Sequence, residues 1–289
     1  MTAEPSSILT PAQMARAAED AAVAKVTGRP MKSFLLGLTA GGYIALGFVF
    51  YVTSQVGASE IPWGVAKVLG GVVFATGLAL VVLTGAELFT SSTLTLTARA
   101  SGRITWSQLL VNWVVVYVAN FLGALTMVVL IFFGGTWLNA DGQWGAVVLT
   151  VTNIKLHHTF LEAFVLGILC NLMVCLAVWA AYSGRTTTDK VIAVTMPIAL
   201  FVASGFEHSV ANMFMIPLGI LIKDNAGSEF WSQTGLEASA FSDLTWSSFY
   251  LDNLLPVTLG NIVGGGVMIG ILYWTIFHYL ERSPAKVTR

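Results

Sequence analysis

Ser204-Gly205-Phe206-Glu207-His208-Ser209-Val210-Ala211-Asn212 is a polar stretch set in the middle of an apolar segment that runs from Val191 to Ile222. A charged group at membrane depth costs roughly 2.5 kcal/mol or more, so ionisable residues there face a bundle interior or an aqueous path. Glu207 and His208 therefore mark the functional site. A second polar stretch, Gly85-Ala86-Glu87-Leu88-Phe89-Thr90-Ser91-Ser92, interrupts the apolar run from Ile61 to Ala98, 120 positions earlier. Two broken helices, one per half, are expected to meet.

The surroundings of these stretches set the class. The 289 residues are 56% apolar and only 10% charged, with a mean hydropathy of +0.78, far from soluble usage, where about a quarter of residues are charged. The apolar runs exceed the roughly 20 residues a spanning helix needs, and strand-like alternation is absent. The expectation is an all-α integral membrane protein. A formal net charge of -1 with no basic run argues against a nucleic-acid partner. Residues 1–30 lack a signal-peptide apolar core, so the first span is expected to direct insertion itself. Cys170 and Cys175 lie five apart inside an apolar segment, which suits neither a zinc site nor a disulfide.

In the polar amino-terminal segment, Thr10-Pro11-Ala12-Gln13 has capping-box chemistry and predicts a helix. Six apolar segments follow, at Phe34 to Val56, Pro62 to Ala98, Trp106 to Trp137, Thr159 to Tyr182, Val191 to Ile222 and Asn253 to Phe277. Eleven Lys and Arg residues flank one side of these spans. Only Lys67, Lys155 and Lys223 flank the other, so the positive-inside rule puts both termini in the cytoplasm.

Thr105-Trp106-Ser107 recurs as Thr245-Trp246-Ser247, and Asn120-Phe121-Leu122-Gly123 as Asn261-Ile262-Val263-Gly264. Each repeat holds three spans, an odd number, so the pair predicts an inverted 3+3 repeat with broken second and fifth helices. Chance similarity between apolar segments is the competing reading. The expected organisation is a cytoplasmic helical segment over 1–30, a first repeat over 31–138, an extracytoplasmic loop over 139–158, a second repeat over 159–280 and a cytoplasmic tail over 281–289. Gly37-x-x-x-Gly41, Gly260-x-x-x-Gly264 and Gly266-x-x-x-Gly270 supply small-residue faces, and spacing leaves open whether they pack within or between chains.

His208 is the candidate pore residue, because imidazole exchanges protons near neutrality. Thr90 is its expected hydroxyl partner. The repeat-equivalent Glu207 and Glu87 are read as structural residues that cap half-helices at their amino ends, with Asn212 and Asn261 as further structural residues beside the site. Phe74, Leu78, Leu88 and Phe201 could form constrictions that hydrated ions do not cross, although as isolated residues they read as core. His157, His158 and Glu162 make a poor metal site, and none is expected. With no nucleophile elbow, phosphate loop or dinucleotide fingerprint, transport is favoured over catalysis, and no cofactor is expected.

At Ala203 through Met213, Ala100 through Trp106 and Lys155 through Phe160, the chain resembles the formate/nitrite transporter family, most closely its bacterial formate channels. The resemblance implies a homopentamer of aquaporin-like protomers, each with its own pore, in the bacterial inner membrane. It puts the pore histidine on His208, the loop threonine on Thr90, the constrictions on Phe74, Leu78, Leu88 and Phe201, and a polar pair on Lys155 and Asn171. The implied function is a passive, pH-gated channel for formate and related small monovalent anions, with formate and proton moving together at low pH. A nitrite or hydrosulfide channel and an alternating-access secondary transporter are the alternatives. Whether the substrate crosses as anion or neutral acid is open in the sequence.

Overall fold

A computed structural model describes residues 8–280; residues 1–7 of the expected amino-terminal segment and the expected tail over 281–289 lie outside them. Among the described residues every regular element is helical. The helices are α1 (Pro11–Thr27), α2 (Pro30–Gln55), α3 (Trp63–Thr84), the short α4 (Phe89–Ser92) and α5 (Leu96–Ala100), and α6 (Trp106–Phe133). They continue as α7 (Gln143–Leu156), α8 (Phe160–Ala181), α9 (Thr187–Ala203), α10 (Ser209–Asn225), α11 (Ser228–Thr234) and α12 (246–279), in which α and π turns alternate. Helices α2, α3, α6, α8 and a stretch containing α12 are each long and apolar enough to cross a membrane. Helices α9 and α10 have 17 residues each, short of a full span on their own.

Sequence dictates the helix starts. Thr10, Thr105, Thr159 and Thr186 each accept from the amide three residues on, and Gln13, Gln108, Glu162 and Asp189 reach back to close capping boxes. Each box satisfies two amides that a helix start leaves orphaned.

The glycine faces pack within the chain. A Cβ on Gly41 would meet the Asn120 carbonyl, and one on Gly123 the Leu38 carbonyl. The corresponding crossing of α8 and α12 has Gly260 against the Phe164 carbonyl and Gly264 against the Ile168 carbonyl. Only glycine lets backbones approach this closely, and the gain is dispersion between helices that lipid alone would not drive together. The outward face of α6, with Leu110, Val114, Val118 and Phe133, is exposed in the protomer.

The segment read as a loop over 139–158 contains a helix. Helix α7 buries Trp144, Val148, Leu149 and Thr152, and its Thr152 hydroxyl donates to the Met215 carbonyl at 3.2 Å where Gly219 leaves room. At 14 residues it is too short to span, so a search for long apolar runs passes over it.

Helix α1 lies across one end of the bundle. Its buried Glu19 accepts from Arg103 Nη1 at 3.1 Å and faces His278 Nδ1 at 3.2 Å, while Asp20 takes the same guanidinium at 2.7 Å.

Candidate functional site

Both polar stretches adopt the same backbone path. Helix α3 stops at Gly85 (φ 74°) and α9 ends before Gly205 (φ 73°), left-handed conformations that glycine adopts without a Cβ penalty. The next amide then bonds back five residues, Ala86 to Val81 and Phe206 to Phe201, both at 3.0 Å. Glu87 N–H donates to the Leu36 carbonyl and Glu207 N–H to the Leu166 carbonyl, both at 3.2 Å. Two residues later α4 and α10 begin.

The amides at these starts are satisfied by asparagines, not by the carboxylates. Asn120 Oδ1 accepts from Phe89 N–H at 2.8 Å, and its Nδ2 donates to the carbonyls of Gly37 and Glu87. Asn261 repeats the arrangement, accepting from Ser209 N–H at 3.0 Å and donating to the carbonyls of Gly167 and Glu207. Unpaired backbone groups at such depth cost several kcal/mol each, which makes Asn120 and Asn261 the braces of the two breaks. The capping role expected of Glu87 and Glu207 is therefore corrected. An amide carries both donor and acceptor and so serves a carbonyl and an N–H at once, whereas a carboxylate only accepts.

The Glu207 carboxylate instead anchors a polar cluster. Its Oε1 meets Lys155 Nζ at 2.7 Å, and its Oε2 accepts from Asn212 Nδ2 at 2.6 Å and Asn253 Nδ2 at 3.2 Å. Asn253 also donates to the Lys155 carbonyl at 3.1 Å, tying α7 to α12. Burying this carboxylate requires such pairing. Glu87 is held differently: its Oε1 accepts from Ser33 Oγ at 3.1 Å.

His208 is the N-cap of α10, with Nδ1 accepting from Ala211 N–H at 3.1 Å. That bond leaves the proton of the neutral ring on Nε2, which lies 3.2 Å from Thr90 Oγ1. The ring stacks on Phe201 at 6.0 Å between centroids, and Phe201 meets Phe74 edge to face at 5.8 Å. Leu78 and Leu88 are buried in the same core.

Two cavities approach this core from opposite ends. A cavity of about 320 Å³ is lined by Lys67, Lys155, His158 and Glu207 and reaches Phe74, Phe201 and His208. At the end covered by α1, a cavity of about 190 Å³ is lined by Lys25, Val81, Ser91 and Lys190. Burial lowers the pKa of the Lys25 ammonium from its ordinary value, and the charge of Glu87 opposes the shift.

Asn171 does not join Lys155. It is fully buried, and its Nδ2 donates to the Thr90 carbonyl, Thr93 Oγ1 and the Asn261 carbonyl at 3.0, 3.1 and 2.6 Å. It holds Thr90 in place from behind. The sequence does not mark Asn120, Asn253, Lys67 and His158 as site residues: Lys67 counts only as a flanking charge and His158 only as a metal ligand, although Asn120 and Asn261 stand in matched quartets. His157 turns to the Asn153 carbonyl and to Asp243, and Glu162 is spent on the Thr159 box, so these residues do not converge.

The family model described as formate/nitrite transporter matches residues 12–275. The formate channel FocA of Escherichia coli (strain K12) is 54% identical over 273 residues, 94% of this chain and 96% of its own. The formate channel FocA of Haemophilus influenzae is 53% identical over 263 residues, 91% and 93% of the two chains. A solved pentameric formate channel with formate bound superposes with a TM-score of 0.83 at 50% identity, covering 87% of this chain and 98% of that one.

Proposed function

The chain belongs to the formate/nitrite transporter family, and from that premise we propose that it is a passive channel for formate and related small monovalent anions. The observation that carries this reading is the His208 to Thr90 contact, a polar pair set among Phe74, Leu78, Leu88 and Phe201 between two cation-lined cavities. Ammonium groups at each mouth concentrate anions, and the apolar layer excludes hydrated ions. At the layer, Nε2–H of His208 offers the carboxylate a hydrogen bond. At low pH, protonation of Nδ1 ends the cap bond to Ala211 and leaves a proton on Nε2 that the substrate carries across, so that formate and proton move together.

In this reading the protomer has six spans in an inverted 3+3 repeat, the second made of α3 to α5 and the fifth of α9 and α10. The matched bonding of Asn120 and Asn261 supports it. Both termini are cytoplasmic, the membrane is the bacterial inner membrane, and five protomers assemble with a pore in each, in keeping with the pentameric relative. Proteoliposomes given formate, nitrite, lactate and hydrosulfide at two pH values test the substrate. Formate should pass fastest, without obligatory ion coupling near neutrality; a faster nitrite or hydrosulfide flux, or strict coupling at every pH, overturns it.

Helix α1 acts in this scheme as a pH-responsive cytoplasmic lid over the smaller cavity, held by Glu19 to Arg103 and His278. Such elements open at low free-energy cost. Deleting residues 1–28 should leave assembly intact by gel filtration and change the pH dependence of formate flux. Unchanged flux at every pH removes the lid.

A further inference from the structure

Glu207 uses its two oxygens differently. Oε2 is held by Asn212 and Asn253, and the Asn253 amide also makes the tie between α7 and α12 while accepting from Asn212 Nδ2 at 2.7 Å. Oε1 is bonded by Lys155 Nζ at 2.7 Å, and His158 Nε2 stands 3.9 Å from the same atom, just outside hydrogen-bond reach. Both approach from the cavity opposite α1. The His158 side chain is 23% exposed, open to solvent protons, while that of Glu207 is 2% exposed.

We propose that His158 is a second titratable group of the transport path, which sets how strongly the mouth opposite α1 captures the anion by competing with Lys155 for Glu207 Oε1. The proposal rests on the formate-channel reading and adds a residue to it. With a neutral imidazole, Lys155 keeps Oε1 and its charge is spent on the carboxylate. An imidazolium takes a share of Oε1, and the Lys155 ammonium turns toward the cavity, where an incoming anion meets it.

The charge balance agrees. Lys67 and Lys155 oppose Glu207 in the cavity lining, a net of one positive charge that becomes two when His158 is protonated. The other charged groups nearby have partners: Glu162 closes the Thr159 box, and His157 faces Asp243 at 3.6 Å. His208, deeper in the same lining, is tied to Ala211 and Thr90. Imidazole changes charge between about pH 5 and 8, so capture strengthens as the medium on that side turns acid. One added charge within a few ångströms of an anion in a wet vestibule corresponds to roughly a three- to tenfold gain in occupancy.

The test is initial uptake of labelled formate into right-side-out membrane vesicles, with the lumen buffered and outer pH set at about 7.5 or about 5.5. For the unsubstituted chain, the formate concentration giving half-maximal uptake should fall roughly three- to tenfold on acidification. In His158→Gln it should stay constant within about twofold, while the maximal rate still follows pH through His208. His158→Arg, permanently charged, should keep the lower value at both pH values. A His158→Gln profile that matches the unsubstituted chain overturns the role of His158. Formate uptake that does not saturate at either pH overturns the capture role of His158 and leaves the channel reading standing, whereas absence of formate uptake by the unsubstituted chain overturns the channel reading, and the proposal with it.

Discussion

Replacing Gly264 with leucine is expected to abolish the folded protein and, with it, the proposed pentamer. A Cβ at this position would sit on the Ile168 carbonyl of α8, and the rest of the side chain has no path except by forcing α8 and α12 apart. Overpacking a core side chain costs about 1 to 3 kcal/mol; here the obstacle is backbone, which has no rotamer to change, so the cost exceeds that range. At about 3 kcal/mol the folded-to-unfolded ratio already falls roughly a hundredfold. Separation would also pull Asn261, three residues away, from Ser209 N–H and the Gly167 carbonyl. Gly64→Ala is the control, since a Cβ there meets nothing within 4 Å. Gel filtration of detergent extracts measures both; oligomer yield from Gly264→Leu equal to that from Gly64→Ala would show that the crossing tolerates separation.

His208→Asn should preserve the oligomer and remove the pH response of the maximal transport rate. Asparagine is among the preferred N-cap residues, so its Oδ1 can replace Nδ1 as acceptor for Ala211 N–H and α10 keeps its start. It does not titrate near neutrality. A carboxylic acid with pKa near about 4 is neutral once in roughly a thousand molecules at pH 7, equivalent to about 4 kcal/mol against neutral passage. Without an imidazole to lend a proton, that cost stays in full. Anion efflux persists while maximal uptake ceases to rise as external pH falls. Flux in proteoliposomes at several pH values decides it: a variant with the unsubstituted pH profile leaves His208 as a cap alone.

The contrast between His208 and Lys155 shows how far the sequence could be read. A lone imidazole in a long apolar run is conspicuous because the membrane penalises it, and its partner Thr90 lay in the matching interruption, so the contact could be anticipated. Lys155 sits at the end of an apolar segment where a lysine is unremarkable. Its meeting with Glu207, 52 positions away, depends on how α7 folds back along α10, and no local pattern encodes that. Asn171 was grouped with Lys155, but its helical position turns it inward to the Thr90 carbonyl. Asparagine is equally at home lining a wet path or bracing backbone. The quartets around Asn120 and Asn261 announced a repeat without announcing the job, because the amides they serve come from chain reversals that only the assembled helices create.

The ownership of those braces bears on how the protein is made. Asn120 draws its partners from Gly37, Glu87 and Phe89, and Asn261 from Gly167, Glu207 and Ser209. Neither set reaches into the other half. In the six-span reading proposed above, a chain leaving the ribosome can therefore brace the polar stretch of its first half before the second half has been synthesised, and the later half needs no loan of polar groups to do the same. Thr90 and His208, 118 positions apart, have no such local supply. On that reading the path proposed for the anion is completed only when the two halves dock, which separates the biogenesis of the scaffold from that of the pore.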